Sequence, residues 1–144
     1  MLARPRRYRI GPARADLADP TMIEVEWAAD AAALRPLAPV RVRALRQTDG
    51  VLFEWIRRTR IGGDSWDAAE VPLGEETERY RLRLFAGETL VREETCPLPS
   101  LHYHAVDELG DFGTLQDTFS LAIAQISAVA GPGPEWRGSV SLQL

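Results

Sequence analysis

The sequence predicts an all-β sandwich of about seven strands preceded by a short β arm, and three observations carry that expectation. From Pro39 onward, short runs of alternating apolar and polar residues follow one another. Turn residues punctuate these runs at short intervals. The last two runs are separated by Gly131-Pro132-Gly133-Pro134, whose prolines cannot donate to a ladder and therefore end one strand before the next begins.

Residues 1–35 read as an arm and residues 36–144 as the sandwich. In the arm, Arg7-Tyr8-Arg9-Ile10 alternates, Gly11-Pro12 and Asp19-Pro20 break the chain, and Ile23-Glu24-Val25-Glu26-Trp27 alternates again. Two short strands joined by a loop are expected. Because an isolated two-stranded ribbon is marginal in water, Ile23, Val25 and Trp27 need an apolar surface to lie on. The Ala-rich stretch from Ala28 to Leu34 suits a helical turn, stopped by Pro36 and Pro39.

In the sandwich, Val40, Val42 and Ala44 alternate with Arg41 and Arg43, and Thr48-Asp49-Gly50 turns into Val51, Phe53 and Trp55. Tyr80, Leu82 and Leu84 alternate with Arg81 and Arg83, and an Ala86-Gly87 turn leads into Thr89 to Thr95. Pro97 and Pro99 isolate a strand around Leu101, Tyr103 and Ala105. The final pair is Phe119 to Val129 and Trp136 to Leu144. The Leu-Ala-Ile-Ala run in the first of these would also suit a buried helix; a strand is expected, because a helix would leave the sandwich without its central strand. The expected core is Val42, Phe53, Trp55, Tyr80, Leu82, Tyr103, Leu121, Ile123 and Val140.

At 144 residues and 45% hydrophobic, the chain can bury one core and one extension. Seventeen basic against 21 acidic residues give a formal charge of −4, which argues against a phosphate-binding surface and hence against nucleic acid as partner. Every basic residue is Arg, and neither Lys nor Asn occurs, a bias that fits a GC-rich genome. The single Cys96 excludes an internal disulfide and a thiolate zinc site. No apolar run approaches the ~20 residues of a membrane span, and the basic N-terminus is followed by no stretch of signal-peptide length. The expectation is a soluble chain made in the cytoplasm, without membrane insertion.

Trp55 in the second sandwich strand, Tyr80 opening the third, and the closing Ala124-Gln125-Ile126-Ser127-Ala128-Val129-Ala130-Gly131-Pro132-Gly133-Pro134 before a last alternating strand together resemble a fibronectin type III repeat, an immunoglobulin-like fold. Leu34 to Arg43, Trp55 to Trp66 and Val71 to Glu75 resemble the C-terminal region of the tail-tip hub, or host specificity protein, of gene transfer agents and related siphophage-like tails. In that family the region follows a TIM-barrel-like domain. The resemblance implies a structural role in the baseplate of a phage-derived particle. Its implied partners are other tail proteins or the preceding domains of the hub chain; a host-surface glycan is the partner of the competing reading as a carbohydrate-binding module. It implies no cofactor. Family members are very long chains, so an excised domain, a split gene or a separate small relative is expected here.

Motifs that resemble catalytic or metal sites are weak. Gly63-Asp64-Ser65-Trp66 matches an esterase serine block by letters, but neither His102 nor His104 has an Asp two or three residues before it to orient a base, so no enzyme is expected. His102 and His104 share a strand face, as two metal ligands would, yet spacing supplies no third ligand. Asp107, Glu108 and Asp111 lack calcium-loop alternation and read as a solvated connection. Asp111-Phe112-Gly113 matches the kinase magnesium tripeptide without any other kinase element.

The candidate interface is Arg57, Arg58 and Arg60 with Trp66 and Trp27, since Arg and Trp are enriched among interface anchors. The competing reading of the arginines is protection of an exposed strand edge. Trp27, Trp66 or Trp136 stacking on sugar rings would make the chain a carbohydrate-binding module instead.

Overall fold

Pleated alternation in the sequence becomes two separate compact units, residues 1–34 and residues 35–144. A computed structural model describes residues 4–14, 16–28, 34–60 and 72–143. The Ala28 to Leu34 helical turn, the Gly63 to Trp66 block with Ser65, and Trp66 itself fall wholly or mainly outside those residues.

The first unit is a ribbon of β1 (Arg6–Ile10) and β2 (Ile23–Trp27), antiparallel, with Tyr8 opposite Val25 and Ile10 opposite Ile23. In the second unit β3 (Val40–Gln47) and β4 (Gly50–Ile56) form a hairpin with Gln47 opposite Gly50, leaving Thr48-Asp49 as the turn. Gly50 is required there, because a Cβ would lie 2.1 Å from the carbonyl oxygen of Tyr103 on the neighbouring strand. β5 (Tyr80–Ala86) and β6 (Thr89–Cys96) form the next hairpin, followed by β7 (Ser100–His104), helix α1 (Ala105–Phe112), β8 (Thr118–Ser127), the two-residue β9 (Gly131–Pro132) and β10 (Trp136–Gln143).

Strand order is β6-β5-β8-β10-β3-β4-β7, with β9 beside β8. β10 pairs antiparallel with β8 along Trp136–Ser141, then parallel with β3 at Leu142 and Gln143, and so passes from one layer to the other. The layers meet through aromatic rings packed edge to face: Phe53 of β4 lies 5.2 Å from Phe119 of β8, and Trp55 of β4 lies 5.2 Å from Tyr80 of β5. The architecture is an all-β, fibronectin type III-like sandwich.

Phe53, Trp55, Tyr80, Leu82, Tyr103, Leu121, Ile123 and Val140 are buried with Val51, Leu84 and Phe119. Each of the aliphatic and Phe side chains among them contributes roughly 1.5–3 kcal/mol over leaving it in water. Val42 is only partly buried, because the β3–β4 register shifts between Val40 and Arg43 and Arg41 adopts a left-handed φ of 51°.

The Leu-Ala-Ile-Ala run is strand. Its small residues Ala122 and Ala124 are as buried as its large ones. Their cross-strand neighbours are Arg83 and Arg81 of β5, with Arg137 of β10 also opposite Ala122. Arg81 and Arg83 both pair with Glu135, and the Arg83 and Arg137 guanidiniums lie over the Phe85 ring, so arginine stems shield the alanine face.

The stretch after Tyr103 differs from expectation. Ala105 opens a helix instead of extending β7, and the helix ends at Gly113 in the left-handed conformation that glycine favours. Nor is the acidic cluster a solvated connection. Glu108 is completely buried and takes a two-pronged contact from Arg46 of β3, at 2.7 and 3.2 Å, while also accepting from the Gln116 backbone N–H at 2.6 Å. Asp107 and Asp111 both hold Arg92 of β6, at 2.9 and 2.5 Å. Cations from two strands thus draw the acidic side of the helix onto the sandwich.

Candidate interaction surface

Antiparallel register gives the ribbon two chemically distinct faces. On one, Arg7 and Arg9 stand among Glu24 and Glu26, with ion pairs at 3.4–4.0 Å. These pairs are exposed and worth only ~0–1 kcal/mol each. On the other face lie Tyr8, Ile10, Ile23, Val25 and Trp27, with Arg6 opposite Trp27 at one end, all exposed; Trp27 is 56% accessible and its ring stands edge-on to Tyr8 at 6.1 Å. Tyr8, Arg9, Ile10, Val25 and Trp27 line a shallow groove of about 370 Å³. A two-stranded ribbon has no second layer with which to cover that face, and stable β structure ordinarily requires one.

The loop joining the two strands is locally ordered. Arg9 Nη1 donates to the Leu17 carbonyl at 2.8 Å, and Asp19 accepts from the hydroxyl and backbone N–H of Thr21 at 2.6 and 2.8 Å. The Thr21 hydroxyl, followed by its N–H, holds the Asp19 carboxyl below the usual range.

The arginine segment does not lie along a strand edge, the competing reading of these residues. β4 lies between β3 and β7 and ends at Ile56, so among the described residues Arg57, Arg58 and Arg60 follow an internal strand and protect no edge. Arg57 Nη1 donates to the Pro72 carbonyl at 2.9 Å and its Nε lies 3.8 Å from Glu78. Arg60 meets Glu75 at 2.5 Å. These two arginines tie the β4–β5 connection to itself, while Arg58 is exposed.

Beside them a cleft of about 450 Å³ is lined by Arg41, Arg43, Glu54, Trp55, Ile56, Pro99 and Ser100. Of the candidate sugar-stacking rings, Trp136 packs partly buried against the core, which leaves Trp27 as the exposed one among the described residues.

Cys96 is buried and donates weakly to the Leu98 carbonyl at 3.4 Å; burial pushes its thiol up to about 11, so it stays protonated near neutral pH. His102 and His104 of β7 have ring centroids 4.5 Å apart, and the fold supplies what spacing along the strand did not: Asp49 Oδ1, from the β3–β4 turn, lies 3.0 Å from His102 Nε2. The signal for that approach was the turn glycine, which lets β7 pass close to Asp49. Among the described residues no helix is long and apolar enough to cross a membrane.

No family model and no curated protein matches the chain. Among solved structures it is similar to domains d3–d4 of the extracellular region of rat CD45, with a TM-score of 0.51 at 11% identity. That match covers 94% of this chain and 63% of the rat one, and at this identity it speaks for the fold alone.

Proposed function

We propose that the chain is a non-catalytic assembly module that docks onto a neighbouring protein of a phage-derived tail tip through the apolar face of its ribbon. The observation that carries this reading is the segregation of the ribbon: five large apolar side chains on one face with Arg6 at its end, a charged ladder on the other, and no layer within the ribbon to cover the apolar side. Aromatic anchors such as Trp27 and Tyr8 are the residue types that dominate interface energetics when desolvated. The setting, a gene transfer agent or siphophage-like baseplate, rests on the resemblance of Leu34 to Arg43 and Trp55 to Trp66 to the tail-tip hub family. On this reading the chain is made in the bacterial cytoplasm and assembled into the particle.

Immunogold labelling of purified particles tests it. Label at the tail end is expected; label confined to the cytosol of cells that make no particles would contradict it. A second reading, a carbohydrate-binding module, is favoured by the exposed Trp27 ring beside Tyr8. Glycan-array binding abolished by Trp27→Ala would select it over the first.

A further inference from the structure

We propose that Asp49, His102 and His104 form a binding site for a divalent cation of the zinc class. One ligand atom from each residue lies within 4.8 Å of the other two. In a tetrahedral site with bonds near 2.0–2.1 Å, ligand atoms stand about 3.3 Å apart. Asp49 Oδ1 and His102 Nε2 are already at 3.0 Å, and the rest is within reach of side-chain rotation. His104 is exposed, and although it precedes helix α1 its side chain makes no capping hydrogen bond. Asp49 is 69% exposed at its side chain.

The backbone beneath these groups is fixed. His104 pairs with Gly50 in the β4–β7 ladder, and the Ala105 N–H donates to the Asp49 carbonyl at 2.8 Å. The turn is thereby fastened to the end of β7, with both imidazoles on the face opposite buried Tyr103. β7 is the outermost strand of the ladder, so a cation has access from solvent.

Two imidazoles and one carboxylate favour zinc, copper or nickel over magnesium or calcium, which prefer oxygen donors. Three protein ligands leave a coordination position for water or for a donor from a partner. Binding replaces the His102–Asp49 hydrogen bond with two metal bonds, the neutral imidazole of His102 keeping its one ring proton on Nδ1 while Nε2 ligates.

The experiment is a calorimetric titration of the full, untagged, chelator-treated chain with zinc chloride. One zinc per chain is expected, with affinity falling at least ~100-fold in His104→Gln and in Asp49→Asn, since even losses around a ligand cost 10–100-fold. Neither side chain is in the core, and thermal melts of each variant verify folding. Imidazole NMR signals of the unmodified chain provide the variant-free readout: zinc must shift His102 and His104 together. Absence of zinc binding by the unmodified chain, unshifted imidazoles, or undiminished binding by folded variants would overturn the proposal.

Discussion

The hydroxyl of Tyr103, buried on β7, donates to Asp111 Oδ2 on helix α1 at 2.8 Å. The same carboxylate holds Arg92 of β6, whose guanidinium lies over the Tyr103 ring at 5.5 Å. One carboxylate therefore joins the helix to strands at the two outer ends of the ladder.

The Arg92 hydrogen bonds, opposed by burial and reinforced by the Tyr103 bond, hold the Asp111 carboxyl below its usual value. A carboxyl depressed in the folded state adds stability that is present above its unfolded pKa, about 3.9, and lost as pH falls through the folded value. Asp111→Asn is therefore expected to lower the urea midpoint at pH 7, with the gap from the unmodified chain narrowing below about pH 4. Urea melts across the acid range check this; a gap independent of pH would contradict it.

Arg46→Ala strands the fully buried Glu108 carboxylate without its cation. A buried pair broken from one side costs about 3–5 kcal/mol. The double change Arg46→Met with Glu108→Leu removes both charges and is expected to recover much of that loss, although the Gln116 N–H loses its acceptor. Chemical denaturation of the two variants measures the difference, and equal destabilisation would count against a charge-based account.

Arg41 adopts a left-handed φ of 51° at the β3 bulge. In an ordinary strand Gly is worse than Ala by roughly 0.5–1 kcal/mol. Here the order is expected to invert, with Arg41→Gly more stable than Arg41→Ala by about 1 kcal/mol, because an L residue in this region pays 1–2 kcal/mol. Melting temperatures of the pair decide the sign.

The strands were legible because turn chemistry and alternation agree. Thr48-Asp49-Gly50 fixes one hairpin, and Tyr80, Leu82 and Leu84 all face inward as their spacing requires. Helix α1 was hidden because its chemistry is reversed: Val106 and Leu109 are exposed while Glu108 is buried, so the usual amphipathic pattern points the wrong way. What buries Glu108 is Arg46, 62 residues earlier, and no local pattern encodes that pairing. The arginine run was open to two readings for a related reason. Charge after a strand looks like edge protection, yet Arg57 and Arg60 find intrachain partners at Pro72, Glu78 and Glu75. The Asp49–His102–His104 cluster likewise needed the β3–β4 turn and β7 to be adjacent in space.

Docking of the chain into a particle through the apolar ribbon face is read by quantitative mass spectrometry of purified particles from cells expressing either the unmodified chain or a Val25→Asp, Trp27→Ser double variant. The expected result is the unmodified chain in the tail fraction, at least ~10-fold depletion of the variant, and equal melting temperatures of the two sandwiches, since a desolvated aromatic anchor worth about 2 kcal/mol or more is removed. Equal incorporation of both chains, or absence of the unmodified chain from particles, would contradict it.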